Sequence, residues 1–220
     1  MPAAKERSLP FEIFLGFLIA HTLPFTIWAI SSAVLAPLGP ELYENRLYTP
    51  GNLLANLAIF SHMALGALLM IFVPLQFWPG LRRRFVSYHR AAGRLLCLGA
   101  VVTGVAGLLY IAARGTIGGF WMDLGFGLYG MLVVLSGGQV IRCARARDFD
   151  RHRRWALRLL VLTFGSWLYR VHYGVWYLLT GGLASTPAFD GIFDLVQNVA
   201  FYLPYLLLLE WWMRRGPLPA

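Results

Sequence analysis

Acidic residues are scarce in this chain. Ten Asp and Glu stand against nineteen Lys and Arg, and charged residues of all kinds make up only 13% of the 220 positions. Soluble domains carry about a quarter. With half that share the chain cannot cover a globule with ionised groups, which excludes an ordinary soluble domain. Cysteine is rarer still: Cys97 and Cys143 are the only two. That rules out a disulfide scaffold and a paired-cysteine zinc site, and no Cys-x-x-Cys-His run is present for covalent haem. Both cysteines fall near helix ends on the basic side and read as small apolar fillers. No phosphate-binding glycine loop and no Gly-x-Ser-x-Gly elbow occurs. No carboxylate falls in the middle of an apolar run. Asp123, Asp190 and Asp194 sit at run ends, where helix starts favour acids. An acidic proton relay is therefore not expected. Nor is a pair of interrupted short spans visible, the arrangement of many secondary transporters.

What is present is hydrophobicity, 58% of all residues, gathered into long runs. A membrane-crossing helix needs about 20 consecutive apolar residues. Six runs meet that requirement, at about 11–36, 52–78, 94–113, 120–141, 155–180 and 191–213. The first is too long for a signal-peptide core of about 7–15 residues and reads as an uncleaved anchor. The expected fold is all-α: a single polytopic membrane domain, 1–220, with six transmembrane helices. Spans two to five form a four-helix centre, and spans one and six lie outside it. Glycines inside the third and fourth spans, such as Gly104 and Gly137, suit close helix packing.

Charge placement sets the orientation. Six spans bring both termini to one side, together with Lys5, Arg7, Arg82-Arg83-Arg84, Arg90, Arg94, the run from Arg142 to Arg158, and Arg214-Arg215. The opposite loops hold only Arg46 and Arg114, beside Pro40, Glu41 and Glu44. The positive-inside rule makes the rich side cytoplasmic. The net charge of +9 would suggest nucleic acid in a soluble protein. Here the cations occupy short loops between spans, so membrane lipids are the expected partners and nucleic acid is not. A faint repeat accompanies this pattern. Arg90-x-x-x-Arg94 opens the third span and Arg154-x-x-x-Arg158 the fifth, each just after a histidine, His89 and His152.

Polar residues within the spans fall into two layers. At 1.5 Å per residue, His62 lies about 24 Å and His172 about 25 Å from the cytoplasmic ends of their helices. Tyr110 and Asn198 reach a similar height, with Arg170 slightly below. The inner layer holds Gln76, His89, Arg90, Arg94, Gln139, His152, Arg154, Arg158 and Glu210. Glu210 is the expected counter-charge of Arg94 or Arg158. Fourteen residues separate His62 from Gln76, and fourteen separate Arg158 from His172, so each pair lies within about 40° of one helix face. Arg170 points about 200° away from His172. Three readings fit the outer histidines: hydrogen-bonded interior groups, ligands of haem iron or another metal, and a proton relay or quinone site. His21, at another depth, reads as an isolated satisfied histidine. The inner arginines suit topology control and lipid headgroups, or an anion such as phosphate, a quinone oxygen or a haem propionate.

The ordered set His62, Pro74-Leu75-Gln76-Phe77, His89-Arg90-Ala91-Ala92-Gly93-Arg94, Gly118-Gly119, His152-Arg153-Arg154-Trp155 with Arg158, and Arg170 resembles a bacterial family of predicted membrane proteins, domain of unknown function 2306. The resemblance covers about residues 55–180. It implies a multi-pass protein of the bacterial inner membrane and supplies no activity. More loosely, the chain is similar to cytochrome b561-type and ferric-reductase-like bundles, whose central helices hold b-type haem. The span 120–141 has no histidine, so the four-histidine, two-haem pattern is missing. One haem between His62 and His172 is what that likeness leaves. Two functions follow as expectations. The first is a transmembrane redox component using haem b or quinone, with a redox partner protein. The second is a non-enzymatic membrane component that binds lipid, an anion or a protein through its cytoplasmic arginines.

Overall fold

A computed structural model describes residues 9–39 and 45–216, with side chains from residue 12 onward. Lys5, Arg7, Pro40, Glu41 and Glu44 lie outside the described residues. The described chain is helical, with no strand: α1 Leu9–Leu35, a 3-10 turn Ala36–Leu38, α2 Leu53–Leu75, α3 Pro79–Arg84, α4 Val86–Arg114, α5 Gly119–Arg145, α6 Phe149–Thr163, α7 Gly165–Thr180, α8 Ile192–Ala200 and α9 Leu203–Arg214. Among the described residues, five segments are long and apolar enough to cross a membrane: Glu12–Leu38, Leu53–Leu75, Val86–Arg114, Gly119–Arg145 and Ile192–Arg214. The expected fifth span, 155–180, is not one of them. It divides at Phe164 into helices of 15 and 16 residues, each short of a crossing on its own.

The helices start and stop where local chemistry allows. The Asn52 side chain accepts from the Ala55 N–H at 3.0 Å and caps α2. The Asp148 side chain accepts from the Arg151 N–H at 3.0 Å and caps α6. Each satisfies an N–H that the first helical turn leaves unpaired. Pro79 occupies the first turn of α3, where its missing N–H costs nothing.

Packing closes a ring. α2 lies on α4, α4 on α5, α5 on α6, and α6 returns to α2. α1 flanks α2, while α8 packs on α5 and α9 on α6. Bare glycine backbone sets the α4–α5 approach: a Cβ at Gly104 would lie 2.9 Å from the Gly130 carbonyl, and one at Gly137 would lie 3.0 Å from the Cys97 carbonyl. The buried core includes Leu69, Val73, Ala100, Val133, Leu159 and Leu162. Large apolar side chains such as Leu98, Leu124 and Leu178 face outward, a surface for lipid tails rather than water. Cys97 and Cys143 are buried and unbridged.

Two of the six expected spans are interrupted, where no interruption was expected. α6 yields to α7 at Phe164, and α8 yields to α9 at Phe201–Tyr202. The second break has a plain cause. Pro204 lacks an N–H, so a continuous helix would lose the bond to residue 200. The first break coincides with Gly165, where a Cβ would meet the Tyr129 ring at 2.7 Å. Tyr129 fills both gaps. Its hydroxyl donates to the Leu162 carbonyl at 2.6 Å, and its ring centroid lies 5.0 Å from that of Phe201 and 5.3 Å from that of Tyr202. The Tyr202 hydroxyl donates to the Gly125 carbonyl at 3.1 Å.

Candidate functional site

The basic end of the helical ring is assembled from four chain segments. α3 presents Arg82, Arg83 and Arg84 in its last turn, and α4 begins two residues later with His89 in its first turns. The Asp148 cap starts α6 so that Arg151, His152, Arg153 and Arg154 occupy its opening turns. His152 Nδ1 donates to the Val140 carbonyl at 3.0 Å, which fixes the start of α6 against the end of α5. A carbonyl accepts only, so the proton is on Nδ1 and Nε2 remains for another partner.

Two arginines on this end have specific jobs inside the bundle. Arg154 donates to the Met213 carbonyl at 3.1 Å, satisfying the last turn of α9. Arg158 grips Glu210 with two bonds, Nε to Oε1 at 2.5 Å and a terminal nitrogen to Oε2 at 3.0 Å. The Trp155 ring lies 4.4 Å beneath the same guanidinium. Arg94, the other partner expected for Glu210, is exposed, as is Arg90.

The rest of the cluster has little counter-charge. His89 lies within electrostatic reach of His152, Arg82 and Arg90. Desolvation, then Arg82, push the Arg153 guanidinium below its ordinary value, and Asp150 only partly opposes them. Among the described residues the only ion pairs are Arg158–Glu210 and the surface pair Arg151–Asp148. Gln76, the C-cap of α2, has both amide atoms buried without a hydrogen-bond partner. Its Oε1 points toward Gly93 of α4. Gln139 is half-buried on α5. The arrangement can attract and hold a negatively charged group, and it contains no nucleophile and base in contact.

The outer polar residues occupy separate contact sets. His62 bonds through Nδ1 to the Thr103 carbonyl at 2.9 Å and packs on the bare backbone of Gly107. His172 bonds through Nδ1 to the Gln197 amide at 2.8 Å and through Nε2 to the Tyr205 hydroxyl at 2.7 Å. Tyr110 is buried and takes its hydroxyl partner from Arg114, one helical turn away. Arg170 turns to α1, with its guanidinium 4.3 Å from the Phe25 ring and 4.9 Å from the Trp28 ring. Asn198 is buried against Gly125 with its side-chain amide unpartnered. His21 bonds to the Phe17 carbonyl of its own helix.

These histidines do not fit a bis-histidine haem as they stand. Both His172 nitrogens are engaged, so ligation would require giving up Gln197 or Tyr205. His62 and His172 share no hydrogen-bond partner. Sequence reasoning did not single out Gln197, Tyr205 or the Tyr173–Asp194 pair. Asp194 is fully buried and accepts from Tyr173, Ser185 and two backbone N–H groups, which ties α7, the outer loop and α8 together. The only sequence signal for that knot was an acid at a helix start.

Residues 59–212 match the family model DUF2306, described as a predicted membrane protein. No curated protein and no solved structure matches the chain. The looser likeness to cytochrome b561-type and ferric-reductase-like bundles has no support among these comparisons.

Proposed function

The chain belongs to the DUF2306 family of predicted membrane proteins, and from that premise we propose a non-enzymatic component of the bacterial inner membrane whose cytoplasmic face binds anionic lipid headgroups. In this reading the α6–α7 pair is a fifth crossing between α5 and α8, giving six spans with both termini cytoplasmic. The asymmetry of Arg and Lys between the two faces supports that orientation. The observation that carries the function is the cluster of His89, His152, Arg82, Arg90 and Arg153, five cationic or titratable groups with Asp150 as the acid beside them. Uncompensated cations packed at a membrane interface are stabilised by lipid phosphates, and arginine suits them because its planar fork binds two oxygens at once.

The test is reconstitution of the purified chain in nanodiscs of phosphatidylcholine alone or with phosphatidylglycerol. The anionic bilayer is expected to raise the melting temperature, and Arg82→Gln with Arg153→Gln to reduce that rise. Equal melting in both bilayers would remove the reading.

A further inference from the structure

Far from the basic end, α7 carries one exposed arginine, Arg170. α7 ends at Thr180 and α1 at Leu35, so Arg170 and the Phe25 ring beside it each lie ten residues, about 15 Å, from the outer ends of their helices. In a hydrocarbon core about 30 Å thick, that is close to the midplane. The side chain does not reach outward for the surface. Its Nη1 donates to the Ser166 carbonyl at 2.9 Å and to the Ser166 hydroxyl at 3.1 Å, one turn nearer the basic end. Phe25 and Trp28 of α1 lie against the guanidinium. Among the described residues, its Nε and Nη2 have no hydrogen-bond partner, and no carboxylate is within ion-pair distance. Arg158 shows what that edge of a guanidinium takes: its Nε and Nη2 grip the two oxygens of Glu210. On Arg170 the same fork is empty. One turn further out, Gly174 is exposed, and a Cβ there would meet nothing within 4 Å. Leu178, a turn beyond, is 84% exposed. Residues four apart are neighbours on a helix surface, so Arg170, Gly174 and Leu178 make one open face of α7.

We propose that this face docks a transmembrane helix of another protein, which sets an Asp or Glu carboxylate in the Arg170 fork. Charge complementarity chooses the occupant. A cation at the bilayer centre is costly, and such groups pair with opposite charges. The two aromatic rings offset part of that cost and leave the Nε–H and Nη2–H bonds without an oxygen. A carboxylate accepts both side by side. A lipid phosphate sits at the surface, too far above to serve. No Asp or Glu of this chain falls in the middle of an apolar run, so a second copy supplies no carboxylate at this depth. The bare backbone of Gly174 lets another helix approach closely, as small residues do between membrane helices. The proposal uses the six-crossing arrangement above and is independent of the headgroup site at the basic end.

The experiment uses the full chain in phosphatidylcholine liposomes and reads energy transfer to a labelled Leu-Ala transmembrane peptide of about 20 apolar residues. One peptide carries a single central Glu, the other Gln in its place. The Glu peptide is expected to associate about tenfold more tightly, the difference made by about 1.4 kcal/mol. That preference is expected to vanish in Arg170→Gln. Gly174→Leu is expected to weaken both peptides by obstructing the approach. Equal association of the two peptides with the unaltered chain would overturn the proposal, as would a preference that survives in Arg170→Gln. Should Arg170→Gln fail to fold, Gly174→Leu decides, because its side chain enters open space. Loss of Glu-peptide association then supports the docking face, and unchanged association overturns it. Two other occupants have their own signals. Equal peptides together with a melting temperature raised by oleate only when Arg170 is present would replace the helix with a free fatty acid. Energy transfer between two labelled copies of the chain, abolished by Gly174→Leu, would replace it with a second copy. A negative peptide result with an external reporter after Gly182 overturns the docking face and leaves the six crossings intact.

Discussion

The hydroxyl of Tyr129 donates to the carbonyl of Leu162 at 2.6 Å, two residues before α6 gives way to α7. In lipid an unpaired carbonyl has no water to turn to, so a helix break needs a partner from elsewhere in the protein. Tyr129 supplies it from α5, and the same ring packs on Phe201 and Tyr202 at the second break. One side chain thus stabilises both interruptions.

Tyr129→Phe should therefore lower stability by about 0.5–1.5 kcal/mol, the net worth of one hydrogen bond. Gly165→Ala should cost more, about 1–3 kcal/mol, because the new methyl would lie 2.7 Å from a ring atom and force it aside. Thermal or chemical unfolding of the purified protein in detergent measures both. Parent-like melting of Gly165→Ala would show that the close approach of α5 to this break is wrong.

The Arg158–Glu210 pair ties α6 to α9 with two charge-assisted bonds. A double-mutant cycle with Arg158→Gln and Glu210→Gln should give a coupling energy of about 0.5–3 kcal/mol, the range for residues sharing one network. Arg94→Gln should couple to Glu210→Gln weakly or not at all, since Arg94 faces outward. Unfolding midpoints of the variants decide, and a larger coupling at Arg94 would reassign the partner.

Much of this architecture is legible in the sequence, and the failures have physical causes. Long apolar runs announce membrane helices because their composition leaves no alternative. The depth of a residue follows from a fixed rise, so Gln76, His89, His152 and Arg158 can be placed at the basic end by counting. Partner choice cannot be counted. Tyr110 satisfies its hydroxyl from Arg114 on its own helix, and Arg170 turns to the aromatic rings of α1, although both share a depth with His172. The break at Phe164 escapes because no proline marks it; the side chain that satisfies it is a tyrosine 35 positions earlier in the chain. Pro204 was in plain view, but 23 residues of apolar sequence around it read as one uninterrupted span.

His172 is held at both nitrogens, by Gln197 and Tyr205. Protein purified from cells supplied with haem should accordingly show no Soret band that depends on His172. Tyr205→Phe and Gln197→Leu should each lower the melting temperature, since each leaves one nitrogen of the half-buried imidazole without its partner, at about 1 kcal/mol. Loss of a visible absorption band in both His62→Ala and His172→Ala would show instead that the two histidines share a haem.

The number of crossings has its own test, because the α6–α7 pair decides it. If this pair spans the bilayer, the loop at 146–148 and the loop at 181–191 lie on opposite sides. A reporter active only in the cytoplasm should then work when fused after Arg147, and one active only outside should work after Gly182. Without a fifth crossing the two positions would report the same side. Charge favours the crossing: Arg151, Arg153, Arg154 and Arg158 all fall in the α6 half, and α7 has Arg170 alone. Placing that asymmetry across the membrane keeps the arginine-rich half with Arg82, Arg83 and Arg84 at the cytoplasmic surface, as the positive-inside rule requires. Replacing Arg151, Arg153 and Arg154 together with Gln should weaken that bias, and the fusion after Gly182 should then report a mixed orientation. A uniform cytoplasmic signal from the Gly182 fusion of the unaltered chain would leave five crossings and place the Asp194 knot on the same side as the arginines.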